Sequence, residues 1–235
     1  EIYQCDWSSD VCSSDLTYAA AAPEDGRRVV VTGNPVRSAF LQQKSASQRF
    51  ARKPGEFVLL AVGGSRGALS INRACIELVK NWLVNNPDVR LIHIAGERDF
   101  DMVKSEIGEM PANYQLLPYL HEMKEAFDAA DLLISRAGAT ILAEIAVCRK
   151  PAVLVPFPHA TDNHQEKNAR VLEDMGAARL LLDGDLNAKS LADIITSLRS
   201  DDNLARMSEA SGRSRPADVE NRILQQLSEL LDNRQ

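Results

Sequence analysis

A lone carboxylate interrupts the run SRAGATILAE, residues 135–144, where Glu144 lies five positions beyond Ala139 in an otherwise small and apolar stretch. The run follows the apolar segment AADLLI and reads as a strand-to-helix junction. The first backbone N–H groups of a helix have no intrahelical acceptor and attract anions. Gly138, Ala139 and Thr140 are small enough for a phosphate to sit against that first turn, with Thr140 as a hydroxyl donor. Helical side chains lean toward the N-terminus, so Glu144, about 7 Å along the axis, can reach back beside whatever the helix start holds. A vicinal ribose diol offers two adjacent donors and suits such a carboxylate. The alternatives are a solvent-facing glutamate or an ordinary ion pair.

Two further junctions share this character. VTGNPVR, residues 31–37, brings Arg37 near the rim of a sheet, either as a guanidinium fork for a diphosphate or as a solvated surface charge. VGGSRGA, residues 62–68, departs from the GxGxxG dinucleotide fingerprint, but its glycines allow a close backbone turn before a helix. There Ser65 either contacts a ligand or caps the helix. Beyond them, VPFPHATDNHQEKNA (155–169) is a proline-stiffened loop that would overhang the same edge. Gln165 and Asn168, one helical turn apart, could bond sugar hydroxyls or an acetamido group. Asp162 or Asn163 is expected to cap the following helix. His159 and His164 lack a third ligand at fitting spacing, so no metal is expected.

The elements that must position these residues alternate. Apolar runs at 27–33, 56–64, 89–96, 114–120, 131–135, 151–156 and 178–182 are separated by stretches with helical spacing, among them 38–50, 65–86, 100–107, 121–130, 139–148 and 168–175. That order is the signature of βαβ units. The expected fold is α/β: one Rossmann-like, doubly wound domain of about six parallel strands, whose ligands bind at the strands' carboxyl ends. From Leu186 onward the chain reads as charged helix.

Composition narrows the field. The chain has 235 residues, 45% hydrophobic, with a formal net charge of −6. That balance argues against binding a nucleic-acid backbone. Four cysteines without a CxxC pair point to a reducing compartment. No run of 18 apolar residues occurs. Residues 1–16, EIYQCDWSSDVCSSDL, resemble a translated sequencing-adapter run and are set apart from fold reasoning together with a linker at 17–26, leaving a domain over 27–235. The chain is therefore expected to begin inside a longer protein.

In order and separation, GNPVR, VGGSRGA, SRAGATILAEIA and VPFPHATDNHQEKNA resemble the C-terminal half of the MurG family of peptidoglycan N-acetylglucosaminyltransferases. The resemblance implies the GT-B fold, two Rossmann-like domains facing across a cleft, of which this is the donor-binding one. It implies that Arg37 and Ser65 face the diphosphate of UDP-N-acetylglucosamine, and that Leu120 offers backbone hydrogen bonds to uracil beside Met123. Ala139, Thr140 and Ile141 would lie under the diphosphate, Glu144 would grip the ribose, and Gln165 would contact the sugar. The implied reaction is inverting transfer to lipid I, giving lipid II, without a cofactor, by an enzyme peripheral on the cytoplasmic face of the bacterial plasma membrane. The implied catalytic base belongs to the N-terminal domain, so no catalytic residue is named here. His164 departs from the glutamine that relatives can carry. Helical residues 219–231 would pack toward the missing half. A UDP-N-acetylglucosamine epimerase sharing the fold, or a donor-binding subunit needing a separate partner, are the alternative readings.

Overall fold

The computed structural model describes residues 32–42, 49–64, 67–200, 202–215 and 218–232. The expected strand at 27–33 and the adapter-like and linker segments therefore lie wholly or mostly outside the described residues; Thr32 and Gly33, which are described, form no strand.

Six strands make one sheet: β1 (Phe57–Val62), β2 (Val89–Ile94), β3 (Tyr114–Leu117), β4 (Leu132–Ser135), β5 (Ala152–Leu154) and β6 (Ala178–Leu180). Every pairing is parallel and the spatial order is 3-2-1-4-5-6. This is the doubly wound order expected from the alternation, with its switch point between β1 and β4, where Leu59 pairs with Leu132 and Val62 with Ser135. Buried parallel strands are apolar on both faces, and β1 shows why. Val58, Leu60 and Val62 point into one core, Leu59 and Ala61 into the other.

The first core packs under α1 (Ser38–Leu41), α4 (Met123–Ala129), α5 (Ala139–Val147) and α6 (His164–Asp174). The second packs under α2 (Leu69–Asn81) and α7 (Ala188–Arg199), with α3 (Phe100–Ile107) against α2 and α8 (Asn203–Arg213) touching both α5 and α7. The last helix, α9 (Val219–Asp232), leaves Leu224, Leu227 and Leu231 exposed.

Three elements differ from expectation. The helix expected at 38–50 is a single turn that stops where Gln42 turns extended, because no apolar residue follows Leu41 at helical spacing before Phe50. Phe40 anchors that turn edge-on against Phe127, with ring centroids 5.1 Å apart. The second helix begins at Leu69 rather than at Ser65, and its N-cap Ala68 lies close against Gly63. The helix after the proline loop begins earlier, at His164.

A buried polar chain crosses the second core. The Tyr114 hydroxyl lies 2.9 Å from His93 Nδ1, and His93 Nε2 lies 3.0 Å from Asn72 Oδ1. Burial lowers the His93 pKa from 6.5 to about 4. The unfolded chain therefore takes up a proton that the fold refuses, so stability is complete above pH 6.5 and declines as pH falls toward 4. Urea unfolding between these limits is expected to show a loss on the order of 3 kcal/mol, and His93→Gln should flatten that part of the profile.

Candidate functional site

At the switch point the carboxyl ends of β1 and β4 open side by side, each leading through a short loop into a helix. The start of α5 is bare. Its N-cap, Gly138, supplies no side-chain acceptor, its first turn contains no acid, and Leu142 N is the first of its amides to find an intrahelical carbonyl, on Gly138. The N–H groups of Ala139, Thr140 and Ile141 have no acceptor among the described residues. A Cβ built on Gly138 would meet nothing within 4 Å, so the residue is small because the space before it is open, not because a neighbour presses on it. Unsatisfied donors and the positive end of the helix dipole converge on that space.

The neighbouring loop is closed tightly. Gly67 donates to Gly64 O at 3.0 Å, and a Cβ on Gly63 would lie 2.3 Å from Ala68 N. Gly64 and Gly67 both adopt left-handed backbone angles, φ +83° and +75°, which only glycine takes without strain. The N-cap of α2 is Ala68, without a side-chain cap. Ser65 itself lies outside the described residues.

Arg136 holds the two junctions together. One guanidinium nitrogen donates to Val155 O at 3.2 Å, Pro156 O at 3.1 Å and the Asp183 carboxylate at 2.5 Å. The other donates to Ser70 Oγ at 2.8 Å, and the group stacks over Phe157 at 5.5 Å. Ser70 in turn donates to Asp183. The arginine of the opening motif is thus neutralised and pinned between the start of α2 and the loops after β5 and β6. Neither Ser70 nor Asp183, 66 and 47 residues away from it, could be paired with it from the sequence.

Glu144 and Arg37, expected at the ribose and the diphosphate, meet each other. Arg37 Nε donates to Glu144 Oε1 at 2.9 Å, and Nη2 forms an ion pair with the same oxygen at 2.8 Å. The Glu144 side chain is 5% exposed and that of Arg37 51%, so the pair is closed to solvent on the carboxylate side and open on the other. Burial raises the Glu144 pKa, and the Arg37 charge opposes that rise. The loop carrying Arg37 also reaches the helix start, where Asn34 Nδ2 donates to Thr140 Oγ1 at 3.4 Å, and that hydroxyl's proton has no acceptor among the described residues.

Gln165 sits at the same edge. Its Oε1 accepts from Ala137 N at 3.3 Å and Phe157 N at 3.0 Å. Two donors fix the amide's orientation, so Nε2 is the end left without a partner among the described residues. Leu120, in the loop after β3, is 2% exposed. Its main-chain N–H and C=O join no hydrogen bond among the described residues, and a buried peptide group ordinarily finds a partner. Met123 begins α4 and packs on the adjoining core.

Asn168 does not serve as expected. It is fully buried on the inner face of α6 beside Ala169 and Leu172 rather than exposed at the sheet edge. Asn163 occupies the N-cap position, but its side chain makes no cap bond and donates to Glu166 at 2.8 Å instead. His164 Nδ1 pairs with Thr161 O at 2.7 Å. Asp162 and Asn163 both carry positive φ, 50° and 56°, so the overhanging loop stores backbone strain. Among the described residues no three of His, Cys, Asp or Glu cluster as metal ligands.

A six-stranded parallel sheet with helices on both faces, a bare helix start at its switch point and a buried carboxylate behind that start define a Rossmann-like α/β domain. The comparisons give the family. Residues 58–223 match the glycosyltransferase family 28 C-terminal domain, and the chain belongs to that family. It is 42% identical over 205 residues to the UDP-N-acetylglucosamine--N-acetylmuramyl-(pentapeptide) pyrophosphoryl-undecaprenol N-acetylglucosamine transferase of Symbiobacterium thermophilum, covering 86% of this chain and 54% of that protein. It superposes on Acinetobacter baumannii MurG with a TM-score of 0.63 and 28% identity, over 77% of this chain and 52% of that one. A UDP-N-acetylglucosamine 2-epimerase structure from Listeria monocytogenes, itself described as putative, gives a TM-score of 0.62 at 14% identity over 89% and 56%, a likeness of fold alone. The chain spans about half the length of the curated relatives it matches.

Removing the Arg136 guanidinium strands Asp183 and two carbonyls in a largely buried place. Arg136→Ala is therefore expected to lower stability by about 3 kcal/mol, read by urea unfolding. Gly138→Ala should leave it unchanged within about 0.5 kcal/mol.

Proposed function

We propose that this chain holds UDP-N-acetylglucosamine at the carboxyl edge of its sheet and is the donor-binding half of an inverting transferase. The whole enzyme would move the N-acetylglucosamine onto undecaprenyl-pyrophosphoryl-MurNAc-pentapeptide, lipid I, giving lipid II for peptidoglycan. The observation that carries the reading is the bare start of α5 with the buried Glu144 carboxylate behind it, at the topological switch point. In this reading the donor's diphosphate lies against the amides of Ala139, Thr140 and Ile141 with the Thr140 hydroxyl beside it. The negative charge that grows on the departing UDP meets fixed dipoles that need no reorganisation. Ser65, which follows β1 in the sequence, would contact the same diphosphate.

Arg37 leaves Glu144 for the diphosphate as the donor enters, and Glu144 accepts from the two ribose hydroxyls. Leu120 supplies its unpaired main-chain groups to uracil, beside Met123. Gln165 Nε2 reaches the sugar while its Oε1 keeps the two loops joined. The exposed leucines of α9 pack toward the partner half, which brings the catalytic base and the lipid acceptor. Peripheral attachment to the cytoplasmic face of the plasma membrane belongs to that half too; among the described residues no helix is long and apolar enough to cross a membrane. The transferase reading is preferred to an epimerase because the transferase relative shares 42% of its residues over the matched span against 14%.

Calorimetric titration tests the assignment. Glu144→Gln is expected to weaken UDP and UDP-N-acetylglucosamine alike, by about tenfold or more, as loss of charge-assisted hydrogen bonds does; unchanged affinity removes the ribose role. Gln165→Glu keeps the loop-bridging oxygen but replaces the Nε2 donor. It should weaken the sugar nucleotide more than UDP, and equal losses would argue against a sugar contact.

Acidification provides a third check. Because the Glu144 pKa is raised above 4.5, UDP affinity should begin to fall at a pH above that of an ordinary glutamate. Arg37→Gln removes the opposing charge and should move this limb to still higher pH. A limb that stays in place would mean another group controls binding.

A further inference from the structure

Behind Gly67 lies a chain of buried polar groups that touches no ligand in the reading above. We propose that Asn72 is a positioning residue for Gly67, holding the shelf on which that glycine rests and thereby the backbone that enters α2 beside the donor's diphosphate. The inference builds on the donor-site reading and adds a residue that acts on it from inside the core.

Asn72 and His93 are wholly buried between α2 and the sheet, in a layer otherwise filled by Ile, Leu and Ala. Asn72 Nδ2 donates to Ala95 O and to Asp99 Oδ2, each at 3.0 Å. Two acceptors fix the direction of the amide, so its Oδ1 faces His93 Nε2, which must carry the ring proton. His93 Nδ1 is then the acceptor for the Tyr114 hydroxyl. Every bond in the chain runs one way, and no member can turn without leaving another unpaired.

The shelf end of this chain coincides with the loop. Ala95 O and Asp99 Oδ2 are the atoms against which Gly67 lies: a Cβ at Gly67 would stand 2.4 Å from the first and 3.1 Å from the second. Arg98 holds Asp99 from the solvent side, at 2.8 and 3.2 Å. The Asn72 main-chain N–H meanwhile bonds Ala68 O at 2.8 Å, directly after the loop. One residue thus fixes both the wall beside Gly67 and the helix turn that follows it. Apolar side chains could fill the same volume without desolvating polar groups. What they could not do is set the position of Ala95 O and Asp99, and an anion site made of backbone depends on sub-ångström placement.

The test compares Asn72→Leu with Tyr114→Phe, which removes only the far end of the chain. Two quantities are read well below each variant's unfolding temperature: UDP affinity by calorimetry, and amide hydrogen exchange at Gly67 in the unliganded chain. Asn72→Leu is expected to weaken UDP about tenfold and to speed Gly67 exchange by a similar factor, whereas Tyr114→Phe lowers the unfolding temperature and changes either by less than about twofold. If Asn72→Leu costs only thermal stability and leaves affinity and exchange as they were, Asn72 is merely a core residue and the proposal fails. Should Asn72→Leu not fold, Asn72→Ser, which retains one donor, must show the same two changes at smaller size, and their absence overturns the proposal equally. If the unsubstituted chain does not bind UDP, the donor-site reading falls, while exchange at Gly67 still decides the positioning role.

Discussion

Three consecutive backbone N–H groups at the start of α5, on Ala139, Thr140 and Ile141, point into open space with no protein acceptor among the described residues. Peptide donors are obligatory hydrogen-bonding groups, and a helix normally covers its first turn with a capping side chain or an acid. This helix has neither, and the sheet order puts its start at the β1/β4 switch point, where a second uncapped helix begins beside it. The rest of the edge can be understood as the machinery that keeps this start bare, aligned and accessible.

Alignment falls to side chains that a reader of charges would assign to the ligand. Arg136 spends its donors on two carbonyls, Ser70 and Asp183, so it brings no net charge to the crevice and instead ties the starts of α2 and α5 to the loops after β5 and β6. Gln165 uses its carbonyl oxygen in the same way. The Arg37–Glu144 pair is the exception. A buried carboxylate is costly unless paired, and an arginine half in solvent supplies the charge without a permanent commitment. The pair therefore compensates the buried Glu144 charge while the Arg37 side chain stays half in solvent.

The parallel sheet, its strand count and the junction at 135–144 were legible because alternation of apolar runs with helical spacing is a local property, and so are the glycines that end the strands. Gly138, Thr140 and Glu144 share one turn-and-helix unit, so their proximity follows from helix geometry alone. The Arg37–Glu144 pair spans 107 residues and the Arg136–Asp183 pair 47, and no local pattern announces either. The burial of Asn168 was not legible, because one-turn spacing from Gln165 says that two residues are near each other, not which of them faces inward; Ala169 and Leu172 are buried on the same face. The Asn72–His93–Tyr114 chain was invisible for the opposite reason: each residue stands singly inside an apolar run, and only the register of β2 against β3 brings two of them together.

The most direct measurement is a titration of isotope-labelled chain with UDP, followed by amide chemical shifts. If the account is right, the largest changes fall on the amides of Ala139, Thr140 and Ile141, with those of Leu120 and the loop at 63–68 next. Saturable binding whose shifts lie elsewhere, with these amides unmoved, would contradict it.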